Sequence, residues 1–112
     1  MAYNQSLADK IRERLVEIPN ISEKEMMGGI AFMLNDKMCV GVVKDEMMCR
    51  IDPLKFEEVI EHRGCRPMDF TGKLMKGWIF VDPDGMKNAD EFEYWIRLAL
   101  DFNDLAKKSK RK

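Results

Sequence analysis

The chain has 112 residues, 46% hydrophobic and 35% charged, with a formal net charge of −1. That length makes one domain burying roughly 65% of its unfolded surface, and that balance excludes a disordered or membrane composition. No apolar run approaches the roughly 20 residues of a membrane helix, and the start MAYNQSLADKIRER lacks the apolar segment of a signal peptide, so the sequence reads as cytoplasmic.

The elements follow in chain order. Leu7, Ile11, Leu15 and Ile18 recur at helical spacing between charged residues, with Asn4 or Ser6 as the cap and Pro19 as the stop, which predicts an amphipathic first helix. From Ile21 the period changes to two. Glu23 to Met27, Ile30 to Leu34, Met38 to Val43 and Met47 to Ile51 read as short strands separated by Gly28-Gly29, Asn35-Asp36 and Asp45-Glu46. Ile30, Phe32 and Leu34 share one face of their strand, and Met38, Val40 and Val42 one face of the next. Asn35-Asp36 suits a tight hairpin, because both residue types tolerate positive φ.

Asp52-Pro53 opens a second helix, with Phe56, Val59 and Ile60 as its stripe and Gly64 as its end. Met68 to Phe70 and Trp78 to Val81 read as two more strands, and Asp82-Pro83-Asp84-Gly85 as a turn. Asn88 caps a last helix with Glu91 as its capping-box partner, and Phe92, Trp95, Ile96, Ala99 and Phe102 supply the buried stripe. The expectation is a two-layer α+β domain over residues 1–106, three helices on a mainly antiparallel sheet, in the order α, three or four β, α, two β, α. Lys107, Lys108, Lys110, Arg111 and Lys112 give the last six residues five positive charges, leaving −6 for the rest. Residues 107–112 are expected to form a disordered basic tail, and the acidic body does not suit duplex DNA.

Gly28-Gly29 precedes a strand, whereas a phosphate loop needs glycines between a strand and a helix; the pair reads as a turn or bulge. In the same region the stretch KEMMGGIAFMLNDKMCVGVV, with RPMDFTGKLMKGWIFV further on, resembles the N-terminal domain of the TfoX family, the Sxy-like regulators of bacterial competence. The resemblance runs in register from the first helix to Phe102. Gly28 and Gly29 match the family pattern, while Met27 and Glu25 stand where an aromatic and a basic residue are usual. It implies a helix, three strands, a helix, two strands and a helix in two layers, like secretion chaperones. It also implies a non-enzymatic module that helps switch on DNA-uptake genes together with a transcription factor. Full-length competence regulators carry a second, helical domain beyond this point, so the expectation here is a stand-alone N-terminal-type domain.

Catalysis needs titratable groups in mutual reach. Cys39, Cys49 and Cys65 are widely spaced and odd in number, forming neither a disulfide framework nor a CxxC pair, and they read as reduced, buried thiols. Cys65 with His62 as base is the alternative, a small enzyme with a reactive cysteine. Asp82, Asp84 and Asp90 cluster near a glycine but lack EF-hand spacing and its late glutamate. No metal or organic cofactor is expected.

Ten methionines are many for this length. Methionine fills core gaps and also makes adaptable partner surfaces. Because adjacent strand residues point to opposite faces, Met26-Met27 and Met47-Met48 should each place one member on the sheet face away from the helices, unless a bulge intervenes. These four residues and the open sheet edges are the expected contacts for a protein partner or a second copy. The tail residues Lys107, Lys108, Lys110, Arg111 and Lys112 are the candidates for weak nucleic-acid contact. The reading is a binding or regulatory module rather than an enzyme.

Overall fold

The computed structural model describes residues 3–26, 28–70 and 73–103, with backbone alone for Met26 and for residues 69, 70 and 73–75. Helix α1, Gln5–Arg14, starts where the Asn4 side chain accepts the Leu7 N–H at 3.0 Å. Strands β1 (Ile21–Met26), β2 (Gly29–Leu34), β3 (Lys37–Val43) and β4 (Glu46–Arg50) then form a meander. A 3₁₀ turn at Pro53–Lys55 leads into α2, Phe56–Val59. Strands β5 (Cys65–Phe70) and β6 (Lys73–Val81), a second 3₁₀ turn at Pro83–Met86 and helix α3 (Ala89–Asn103) complete the domain.

All six strands join one sheet in the order β1-β2-β3-β4-β6-β5, every neighbouring pair antiparallel. The helices pack on one face, as expected of a two-layer α+β domain. Four strands precede the middle helix, one more than the resemblance implies. Asn35 and Asp36, at φ 56° and 65°, make the two-residue hairpin between Leu34 and Lys37.

Several boundaries differ from the periodic reading. Helix α1 stops at Arg14 and the chain continues to Pro19 through turns. The second helix has a single α turn, Phe56–Val59, after its Asp52-capped 3₁₀ start. Strand β6 begins at Lys73 rather than Trp78, because pairing with β5 supplies partners that the local pattern does not reveal. Pro83–Met86 is a 3₁₀ helix rather than a simple turn.

Met38 leaves the face shared by Val40 and Val42. A register shift between Phe32 and Met33 gives β3 an extra residue, Cys39, which turns into the core beside Val40 and places Met38 opposite Met33 on the other face.

The core lies between sheet and helices. Leu7, Ile11 and Leu15 from the α1 region, Phe56 and Val59 from α2, and Phe92, Trp95 and Ile96 from α3 meet Phe32, Val40, Val42, Met47, Ile79 and Val81. Trp95 is 2% exposed, and its indole N–H donates to the Gly85 carbonyl at 2.9 Å. That bond satisfies the one polar atom of a large buried ring.

Candidate functional site

The paired glycines shape the sheet. Gly28 turns the chain at φ +80°, and a Cβ on Gly29 would stand 2.4 Å from the Val42 carbonyl oxygen. Their task is a tight β1–β2 turn laid closely on β3.

The cysteines are held as thiols. Burial pushes Cys39 up to about 12 and Cys49 well above its ordinary value. Cys65 also rises to about 12, mainly through burial and secondarily through the nearby Asp82 charge. The imidazole of His62 is turned elsewhere: its Nε2 lies 3.0 Å from the Tyr94 hydroxyl, and its ring packs against Tyr94 and Trp95 with centroids 4.8 and 5.5 Å away. The two residues meet through the backbone, where the Cys65 N–H donates to the His62 carbonyl at 3.2 Å.

His62, Arg63, Gly85, Asp90, Glu91, Tyr94 and Trp95 line a cleft of about 330 Å³ at the start of α3. Arg63 lies 3.3 Å from Glu91, whose other oxygen accepts the Lys87 N–H, while Asn88 accepts the Glu91 N–H. These groups are occupied in closing the helix N-terminus. Asp84 pairs with Lys87 at 3.8 Å, and among the described residues no group of three or more His, Cys, Asp and Glu side chains is arranged around a metal position.

The sheet face away from the helices has a different character. Lys24, Ala31, Gly41, Met48, Phe80 and Arg66 form one row across it by cross-strand register. Met33, Met38, Val43, Arg50 and Trp78 lie on the same face, half-buried. The Arg50 guanidinium stands over the Trp78 ring at 5.5 Å and that of Arg66 over Phe80 at 4.6 Å. Arg66 also forks onto Glu46 at 2.9 and 2.5 Å.

The methionine pair divides as strand geometry demands, yet neither member projects into solvent. Met47 is fully buried in the helix-side core; Met48, on the opposite face, is only 7% exposed because it lies over Gly41. The expectation that one member of the Met47-Met48 pair would offer an exposed contact is therefore corrected: Met48 does leave the helix-packed face but is buried there, and the accessible methionines of that face are Met33 and Met38, which the β3 bulge brings together. Met27, the side chain of Met26, and Lys107, Lys108, Lys110, Arg111 and Lys112 lie outside the described residues. The missed signals were Trp78 and Phe80, whose two-residue spacing placed them together on one face of β6.

Fold and surface together define an α+β module with one sheet face clad in helices and the other carrying aromatic, methionine and arginine side chains. The chain belongs to the TfoX N-terminal domain family, whose model matches residues 13–103. Two solved structures share the fold. A crystal structure of Deinococcus radiodurans protein DR2400, with a DUF419 domain, is 20% identical with TM-score 0.68, covering 90% of this chain and 82% of that one. A structural-genomics crystal structure of a Pseudomonas syringae protein is 14% identical with TM-score 0.61, covering 81% and 93%. A comparison with curated proteins returned no match. Among the described residues no helix is long and apolar enough to cross a membrane.

Proposed function

We propose that this domain is a cytoplasmic, non-enzymatic regulatory module that acts by binding a protein partner and thereby changes transcription, as membership of the TfoX N-terminal domain family suggests. The observation that carries this reading is the helix-free sheet face. Trp78, Phe80, Met33, Met38, Arg50 and Arg66 are of the residue types enriched where proteins meet. The thiols, two buried and Cys65 half-buried, support it as well, since a nucleophilic cysteine needs its thiolate near neutral pH and these three are raised.

The test is genetic. In the source organism the gene is deleted, transcripts are measured, and the deletion is complemented with the wild-type chain or with Trp78→Ser. Transcript changes restored by the wild type and not by the variant support the reading. An unchanged transcript profile in the deletion strain sinks it.

A further inference from the structure

The sheet offers a partner two kinds of surface, its edges and its open face. Both edges are guarded against another strand. The outer strand β1 carries Glu23, Lys24 and Glu25 in succession, and β5 has Pro67 in its interior, where an amide donor is lost. Strand addition is thus disfavoured, and the open face remains.

That face is apolar in the middle and cationic around it. Among the described side chains, Met33, Met38, Val43, Met48, Trp78 and Phe80 supply the apolar surface, and Lys24, Arg50 and Arg66 the charge, against one carboxylate, Glu46. Arg66 neutralises Glu46. Lys24 and Arg50 have no carboxylate partner among the described residues, on a body whose first 106 residues sum to −6. A cationic face on an acidic body selects an anionic partner.

Size and charge narrow the occupant. Six strands about 4.8 Å apart and about five residues long present roughly 400 Å², half of the roughly 800 Å² each partner buries in a standard interface. A single helix about 10 Å across fits that area. A second copy docked face to face would set one cation-rich face against another. The chain's own tail, with five cations in its last six residues, is repelled. Single-stranded nucleic acid is favoured by a cationic track along its backbone, and two unneutralised cations on an acidic body do not make one.

We infer that the open face of β1, β2, β3, β4 and β6 docks an acidic amphipathic helix of a partner protein, its apolar stripe on Met33, Met38, Trp78 and Phe80 and its carboxylates on Lys24 and Arg50. This rests on the protein-binding reading above and names the chemistry of the partner.

The experiment uses the full chain, ¹⁵N-labelled, titrated with three probes: an 18-residue helical peptide with a leucine stripe flanked by glutamates, the same peptide with lysines for the glutamates, and a 15-nucleotide oligo-dT. The acidic peptide should shift the amides of Met48, Arg50 and Phe80 and the Trp78 indole. It should bind at least tenfold tighter than the lysine peptide, and weaken at least threefold on raising salt from 50 to 300 mM. Arg50→Glu should lower its affinity at least tenfold with an unchanged melting temperature; should that variant melt early, Lys24→Glu serves instead. Equal binding of both peptides, shifts confined to the His62 cleft, no binding of the acidic peptide, or preferential binding of the oligonucleotide would each overturn the inference. Failure here alongside a transcript effect of the deletion would leave the regulatory reading standing and remove only this partner chemistry.

Discussion

Arg14 and Glu93 meet fork to fork, both contacts at 2.6 Å, and so fasten the end of α1 to the first half of α3, 79 residues further along the chain. Arg12 makes a similar fork onto Glu23 of β1 at 2.6 and 2.9 Å. One helix is thereby tied to its neighbour and to the sheet edge. Both pairs are partly solvent-accessible, so each is worth no more than about 1 kcal/mol, and together they orient α1 more than they hold the fold.

The acid limb of stability should report these forks. The guanidinium partners hold Glu23 and Glu93 below the ordinary carboxylate value of 4.5. A lowered native value means that the stabilisation is complete above 4.5 and is lost as pH falls through the lower native values. Melting temperature measured from pH 7 to pH 2.5 should drop more steeply in the wild type than in the Glu23→Gln/Glu93→Gln double variant, with the two curves converging at the acid end. Parallel curves would show that the forks contribute nothing.

Trp95→Phe should destabilise the domain by about 2 kcal/mol, because it removes the indole donor and leaves the Gly85 carbonyl unpaired in a buried site. Urea unfolding followed by circular dichroism checks this. A midpoint within error of the wild type would mean that the carbonyl finds another donor.

Two glycines of similar φ should behave differently on replacement by alanine. Gly28 has open space around the added carbon, so Gly28→Ala should cost about 1 kcal/mol for the left-handed backbone alone. At Gly64, φ +82°, the new carbon would stand 2.4 Å from the Gly85 amide nitrogen, and the added overpacking should raise the loss to at least about 3 kcal/mol. Equal losses would contradict the close approach of β5 to the 3₁₀ turn before α3.

The thiols should be slow to alkylate. With Cys39 and Cys65 raised to about 12 and Cys49 fully buried, iodoacetamide at pH 7.5 should label the native chain at least tenfold more slowly than the urea-unfolded chain, Cys65 reacting first as the least buried. Site-resolved mass spectrometry measures this. A Cys65 labelled faster in the native than in the unfolded chain would restore the reactive-cysteine enzyme as a reading.

The methionines should divide by face. Met47→Ala should cost about 2–5 kcal/mol, as for any large core side chain, whereas Met38→Ser on the open face should stay within about 1 kcal/mol. Chemical denaturation of the two variants decides it. A large loss at Met38 would argue that the open face is part of the core.

Much of this architecture is legible in the chain because its signals are local. The spacing of Phe92, Trp95, Ile96 and Ala99 marks a helix wherever it is placed, and Asn35-Asp36 accepts positive φ through its own side chains. Boundaries were less legible. Strand β6 extends to Lys73 only because β5 lies beside it, and the second helix keeps a single α turn, Phe56–Val59.

The candidate surface was legible in part. Alternation alone required Met47 and Met48 to part company, and they do; their exposure depends on what lies over each, which alternation does not encode. The bulge at Cys39 arises from pairing with β2, so only the assembled sheet brings Met38 over to Met33. Lys24, Arg50 and Arg66 are scattered along the chain and became one cationic rim through strand order. Composition, periodicity and capping therefore determined the elements, their class and the family pattern, because those rest on each residue and its near neighbours. Register, strand order and the coverage of each face decided the site, because they rest on contacts between segments far apart in the chain.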